Sequence, residues 1–286
     1  MGRYSPLRYP GGKRKLSNYV KLILKENELL DGTYVEPFAG GAGIALSLLI
    51  DGYVTKVVIN DINKSIFAFW YSVLNKTDEL CKLICDTPVT VEQWKKQKNV
   101  QKNAMNCSLL ELGFSTFFLN RTNRSGILSG GVIGGLNQNG KYKIDARFNK
   151  KNLISRIEKI ARYKNRILLL NLDASELITD VLPGLPQKTL VYLDPPYYHK
   201  GRDLYENHYS HEDHEFLAKL IRTKITQYWL LTYDNTPQIK EMYKGLRQKN
   251  FSLNYSLANK YMGSEIMFFC NQLLIPEVEN PIKVSL

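Results

Sequence analysis

Residues 34–60 read YVEPFAGGAGIALSLLIDGYVTKVVIN, and this stretch decides the fold. An apolar pair, Tyr34-Val35, runs into a glycine-rich turn over residues 36–43. Residues 44–50 then have the continuous apolar character of a buried helix, and residues 54–60 that of a second strand. Residues 65–74 continue as a second helix, so the run is βαβα. Farther along, residues 166–171, 189–193 and 228–233 are short, buried-looking strands separated by helical stretches such as 212–222. Together these segments predict one α/β sheet interrupted in sequence. Residues 264–274, with strand-like 266–270, are expected to add antiparallel strands at an edge.

A chain of 286 residues suits one large or two modest domains, and 44% hydrophobic with 23% charged residues is the composition of a chain that buries a core. The charge is less ordinary: 39 Lys and Arg against 27 Asp and Glu leave +12. Residues 87–166 hold 16 of the basic residues and only four acids, Glu92, Glu111, Asp145 and Glu158, so the rest of the chain is neutral. Basic helices can simply face solvent. An excess confined to one segment points instead to a polyanionic partner, nucleic acid above all. Within that segment residues 91–103 and 109–119 read as helices, and residues 126–140 hold six of the 19 glycines. So long a loop inside a folded chain is usually functional or mobile. With no repeat or low-complexity linker, the segment reads as an insert, residues 87–164, in a body made of residues 1–86 and 165–286.

Other features narrow the class by exclusion. Cys81, Cys85, Cys107 and Cys270 form neither a CxxC pair nor an even framework, and Cys81 and Cys85, beside Leu80 and Ile84, are expected to be core thiols of a reducing compartment. The opening GRYSPLRYPGGK lacks the roughly 7–15-residue apolar stretch of a secretory signal, and no window reaches the roughly 18 apolar residues of a membrane span. A cytoplasmic protein without membrane contact is expected.

Two turns carry chemistry. In VEPFAGGAG, residues 35–43, glycines let the backbone approach a nucleotide-like ligand, and the next helix directs its N-terminal N–H groups at it. The motif departs from GxGxxG, and a plain tight turn is the alternative. Asp61 follows about 20 residues later at the end of the next strand, the place of a ribose-binding acid. In LDPPYY, residues 193–198, Asp194 ends an apolar strand and Pro195 and Pro196 fix the next two φ angles. A carboxylate, the Pro195 carbonyl and the Tyr197 ring are thereby held together. Such a group suits a planar base with an exocyclic amine, the two acceptors taking its two hydrogens while the ring stacks. A strand-ending turn is the plainer reading.

In these motifs, and in their order, the chain resembles the Dam-like DNA adenine-N6 methyltransferases that use S-adenosylmethionine. The resemblance spans nearly the whole length: PGGK near the start, EPF with its glycines, the acid of INDIN, an insert, then DPPY. It implies a doubly wound, Rossmann-like methyltransferase fold with an inserted, mainly helical DNA-recognition domain. The implied reaction is site-specific methyl transfer to adenine N6 in duplex DNA, by base flipping. Tyr9, where the family often has Trp, and Lys13 are implied as cofactor contacts. Glu36, Pro37, Phe38, Gly40 and Gly41 are implied as the cofactor loop, Asp61 as the ribose ligand and Asp173 as the acid near the cofactor's adenine. Asp194, Pro195, Pro196 and Tyr197 are implied as the catalytic group. FFLNRTNRSG resembles the family's DNA-positioning segment, so Asn120, Arg121 and Arg124, together with Lys141 and Lys143, are expected to contact DNA. Ala42 stands where Gly is often found, and residues 127–135 do not match the base-reading positions of the enzymes that methylate GATC.

His199, His208, His211 and His214 could hold a metal if one face presented them, but no Cys or acidic pair at familiar spacing accompanies them. No metal is expected. The segment reads instead as one that closes over the flipped base or touches DNA, with Lys200 and Arg202 as phosphate contacts. Phe69, Trp70 and Tyr71 read as core packing. A monomer or weak dimer is expected, acting beside a cognate restriction endonuclease or as an orphan or phage enzyme. The competing readings are a methyltransferase for RNA or a protein amide, and a non-catalytic nucleic-acid binder.

Overall fold

The computed structural model describes residues 4–8, 13–198, 209–256 and 260–286. Tyr9, His199, Lys200, Arg202 and His208 lie outside them. The chain forms two compact units, one of residues 1–12 and 62–171 and the other of residues 13–61 and 172–286.

The second unit carries six of the seven strands found among the described residues. They are β1 (Thr33–Glu36), β2 (Lys56–Asn60), β4 (Thr189–Leu193), β5 (Tyr228–Asp234), β6 (Arg247–Ser256) and β7 (Lys260–Phe269). Their order is β2-β1-β4-β5-β7-β6. The strands from β2 to β5 are parallel, with Val35 opposite both Val58 and Val191. Strand order reverses between β1 and β4, so the carboxyl ends of those two strands open side by side, where ligands of doubly wound sheets bind. Helices α1 (Ser17–Glu26), α2 (Gly43–Ile50), α8 (His211–Lys224) and α9 (Pro237–Met242) complete the unit. The strands β1 and β4 are buried throughout, which is why their middles, Tyr34-Val35 and Leu190–Leu193, are apolar without alternation.

The C-terminal strands add antiparallel to the sheet beyond β5, as expected, but β7 is not the outermost: it pairs with β5 on one side and with β6 on the other. That interior place accounts for the complete burial of Ile266, Met267, Phe268 and Phe269. The edge belongs to β6, whose RQKNFSLNYS sequence has too little apolar character to announce a strand.

The first unit is mainly helical: α3 (Lys64–Asn75), α4 (Thr77–Asp86), α5 (Val91–Lys102), α6 (Leu109–Thr122) and α7 (Lys150–Ala161), with β3 (Ile167–Leu170). A capping box between Ser108 and Glu111 starts α6. Gly113 lets α6 lie against α3, because a Cβ there would stand 2.4 Å from both the Ala68 carbonyl and the Ser72 hydroxyl. The Phe69 and Phe117 rings stack at 6.0 Å across the same contact. The compact unit begins at Ile62, because α3 and α4 pack with the helices of residues 87–164.

Two expectations are corrected here. Leu80 and Ile84 are buried but Cys85 is exposed and Cys81 only half-buried; the i, i+4 spacing puts both thiols on one helix face, and that face points away from the core. β3 is not buried either, and Leu168 is 47% exposed. Among the described residues no helix is long and apolar enough to cross a membrane.

Candidate active site

β4 delivers Asp194 to the switch point and β1 delivers Glu36, one residue short of the turn. The Asp194 carboxylate is held from two sides. Lys13 Nζ donates to Oδ1 at 2.9 Å and to Oδ2 at 3.2 Å, and Thr232 Oγ1 on β5 donates to Oδ1 at 2.8 Å. Both donors converge on Oδ1, while the side chain keeps 21% of its surface. Lys13 is itself buried and also donates to the Tyr197 hydroxyl, which donates onward to Glu265 Oε1 at 2.5 Å. Lys13 Nζ lies 3.5 Å from Glu265 Oε2. The ammonium thus serves three groups: the strand-end carboxylate, the tyrosine three residues beyond it, and a fully buried glutamate on β7. Pro195 is buried and Pro196 half-buried. Tyr198 N donates to Asp234 Oδ1 at 2.9 Å, fixing the far end of the motif.

The glycine turn is built beside this group. Asp61 Oδ2 accepts from Gly40 N at 2.8 Å. Asn60, fully buried, donates to the Pro37 carbonyl at 2.9 Å and to the Leu172 carbonyl at 3.0 Å, and accepts from Leu172 N at 2.9 Å. Gly40 and Ala42 both have φ of +46°, so the alanine occupies a left-handed position where glycine is at ease. Gly41 is buried in the same turn. The half-buried Phe38 ring meets the Tyr209 ring edge to face at 6.3 Å.

Glu36 does something other than what was expected of it. Its carboxylate is buried under the turn, where Oε1 accepts from Ala45 N at 3.0 Å and from Tyr34 Oη at 3.2 Å. It caps α2 from below and supports the loop without lining it. Burial pushes its pKa up to about 8, with Asp194 adding to the rise and the two donors opposing it. Asp173 begins the helical turn Ala174–Glu176, with Oδ1 accepting from Ser175 N at 2.8 Å. It also acts on the Tyr209 phenol as a nearby negative charge. Lys13, expected among the cofactor contacts, is committed to Asp194, Tyr197 and Glu265.

The two described histidines of the cluster go to separate partners. His214 is buried, its Nδ1 2.8 Å from Tyr233 Oη, and burial lowers its pKa to about 4. His211 is largely exposed, 2.9 Å from Tyr198 Oη and 3.2 Å from Glu215. Among the described residues no group of three or more His, Cys, Asp or Glu side chains could hold a metal.

In the first unit, the segment expected to touch DNA sorts into braces and exposed cations. Asn120 is only 2% exposed. Its Oδ1 accepts from Arg8 N at 2.7 Å, and its Nδ2 donates to the carbonyls of Arg8 at 2.8 Å and Gly126 at 2.9 Å. A side chain so buried and so engaged is a brace, and the direct DNA contact expected of it is withdrawn. Arg121 donates to the Arg147 carbonyl at 2.6 Å and the Pro6 carbonyl at 3.4 Å. Arg124, Lys141 and Lys143 are exposed. Between them lies the glycine-rich loop, which is held rather than loose. Lys98 Nζ donates to the Leu128 and Ser129 carbonyls, and Gln138 Nε2 to those of Ile133 and Gly135.

A braced glycine turn and a rigid carboxylate with an aromatic ring, both at the switch point of a doubly wound sheet, define an α/β enzyme with a nucleotide-like cofactor. The chain belongs to the D12 class of N6 adenine-specific DNA methyltransferases, whose family model matches residues 9–257. The type II methyltransferase M.MjaIII of Methanocaldococcus jannaschii is 26% identical over 205 residues, 67% of this chain and 68% of that protein. Among solved structures, the rRNA methyltransferase aviRa of Streptomyces viridochromogenes is 11% identical, with 89% of this chain and 85% of that one covered and a TM-score of 0.36. The S-adenosylmethionine-dependent methyltransferase of Agrobacterium tumefaciens is 8% identical, with 87% and 59% covered and a TM-score of 0.38. The protein is therefore a transferase that methylates adenine in DNA, with S-adenosylmethionine as the methyl donor.

Sequence reasoning missed Thr232, Glu265, Asn60 and Tyr209. Glu265 carried a signal, an acid at the head of the apolar run IMFF. A carboxylate entering a buried strand needs a partner. Thr232, Asn60 and Tyr209 had none, since each is placed by strand register or by chain distant in sequence.

Proposed function

We propose that the chain methylates adenine within a specific sequence of duplex DNA, with the target base flipped out of the helix and held at Asp194–Tyr197. The observation that carries this reading is the Asp194 carboxylate, aimed from Oδ1 by Lys13 and Thr232 at the mouth of the switch point. Oδ2 and the Pro195 carbonyl accept the two hydrogens of the adenine amino group, and the Tyr197 ring stacks on the base. Acceptors on both hydrogens draw the nitrogen lone pair out of conjugation with the ring and leave it directed outward as a nucleophile. The carboxylate also stabilises the positive charge that develops on that nitrogen.

The residues around the glycine turn fit the donor. The turn presents backbone held by Asp61 and Asn60, and Phe38 with Tyr209 offers a half-buried aromatic corner beside Asp173. Pro37, Phe38, Gly40 and Gly41 would line the cofactor, Asp61 would take its ribose hydroxyls, and Asp173 its adenine, with Tyr9 as a further contact. S-adenosylmethionine supplies an electrophilic methyl group on a sulfonium. The chain's own task is to hold the amino nitrogen in line with it and to keep water out; neither a metal nor a covalent enzyme intermediate is required.

Arg124, Lys141 and Lys143 supply DNA contacts, and Arg121 and Asn120 hold the segment that presents them. The protein acts as a monomer or weak dimer in the cytoplasm, beside a cognate restriction endonuclease or alone. The deciding experiment is transfer of tritiated methyl from S-adenosylmethionine to unmethylated duplex DNA, duplex RNA and bulk protein, followed by methylation-sensitive sequencing of the DNA. Label in RNA or protein and none in DNA would overturn the proposal.

A further inference from the structure

The Glu265 side chain has no accessible surface, and no sequence motif includes it. It sits on β7 opposite Asp234 of β5 and Phe251 of β6. Its Oε1 accepts the Tyr197 hydroxyl proton at 2.5 Å, and its Oε2 stands 3.5 Å from Lys13 Nζ with no hydrogen-bond partner among the described residues. One ammonium therefore lies between two carboxylates, and closer to Asp194, at 2.9 Å, than to Glu265. An ion pair strengthens or weakens with the charge of the other group competing for the same cation. When Glu265 is neutral, Asp194 is the one ionised carboxylate that Lys13 meets among the described residues, and the ammonium offsets its charge. When Glu265 is ionised, Lys13 is shared, and Asp194 presents more negative charge to whatever approaches Oδ2.

We propose that Glu265 is a positioning residue for methyl transfer: through Lys13 and the Tyr197 hydroxyl it sets how much negative charge Asp194 presents to the adenine amino group. The inference rests on the reading that Asp194 accepts that group. Among the described residues the charged and titratable groups around Glu265 are few. Lys13 comes from the turn before α1, Asp194 and Tyr197 from the segment after β4, Tyr192 from β4 itself, and Asp234 from β5; Phe251 of β6 does not titrate. Burial pushes the Glu265 carboxyl up to about 7, against the pull of Lys13 and of the tyrosine hydroxyl, with Asp194 adding to the rise. Its ionisation therefore falls where the enzyme can be assayed without unfolding it.

The test is the single-turnover rate of methyl transfer to duplex DNA between about pH 5.5 and 9, at saturating S-adenosylmethionine, for the parent, Glu265→Gln and Tyr197→Phe. The parent rate should rise through one ionisation near pH 7. In Glu265→Gln that limb should vanish and the rate at pH 8 should fall about tenfold, less than for loss of a group touching the substrate. DNA and cofactor affinities should stay within about twofold. Tyr197→Phe keeps the ring but removes a hydrogen bond that favours ionised Glu265, so its limb should move to higher pH. This second variant decides the matter if Glu265→Gln does not fold. A parent rate without a limb near pH 7, an unchanged limb in Glu265→Gln, or an unmoved limb in Tyr197→Phe would each overturn the inference. A parent that transfers no methyl to DNA would instead overturn the proposed function.

Discussion

Replacing Glu36 by glutamine should change how the protein's stability depends on pH. The side chain is fully buried, and its ordinary pKa of 4.5 is raised to about 8. Below about pH 4.5 the carboxyl is protonated whether the chain is folded or not, and its contribution to stability is fully present. Between about 4.5 and 8 the unfolded chain ionises while the folded one stays protonated. Unfolding then releases a proton, and stability falls as pH rises; above about 8 the dependence ends. Each pKa unit is about 1.4 kcal/mol, so the whole displacement is at most about 5 kcal/mol. Local relaxation and water entry reduce that, and about 2–4 kcal/mol is expected. Glutamine keeps the oxygen that accepts from Ala45 N and Tyr34 Oη but never ionises. Glu36→Gln should therefore match the parent near pH 4 and exceed it near pH 8.5. Urea unfolding across this range measures the difference, and taking the difference cancels the similar contribution of Glu265. Parallel curves for the two proteins would show that Glu36 is ionised in the fold and that the argument from burial is wrong.

Asp194→Ala should lower the single-turnover rate by about a thousandfold or more, and Asp194→Asn by less, since the amide oxygen still accepts one hydrogen bond; calorimetry should find S-adenosylmethionine affinity little changed in both. Asn120→Ala should destabilise the protein by about 2–4 kcal/mol, because it strands one buried donor and two acceptors, and a urea midpoint equal to that of the parent would return Asn120 to the DNA contacts. For Arg124→Ala, titration of DNA binding against salt separates two outcomes. A phosphate contact weakens all DNA alike and lowers the log–log slope by about one; a base contact costs about 1–3 kcal/mol at the cognate site only. No change in either quantity would remove Arg124 from the interface.

What the sequence made legible follows from local signals. The residues around β1, α2 and β2 read correctly because continuous apolar runs, broken by glycine, admit few other structures. DPPY placed Asp194 because a strand end and two prolines leave the backbone little freedom. The remainder depended on long-range partners. β6 was missed because an edge strand carries polar residues on its open side. Glu36 and Asn120 sit inside recognisable motifs, yet a motif does not tell which member lines a pocket and which supports it from beneath. Cys81 and Cys85 share a helix face, and only the packing partners decide whether that face is inward. Charge is legible as a property of a segment but not residue by residue, since Lys98 and Arg121 spend their donors on backbone carbonyls.

Asn60 has a consequence of another kind. Its amide clasps the Leu172 backbone on both sides, and one residue farther out Asn171 Nδ2 donates to the Ile62 carbonyl at 3.1 Å. Chain that departs after residue 60 therefore returns, more than a hundred residues later, to the point it left. To the cofactor-binding unit the whole intervening segment is a loop with its neck already tied, and lengthening a loop of this size costs little in closure entropy. Its contents could be exchanged for another folded segment with both ends still meeting at the same clasp.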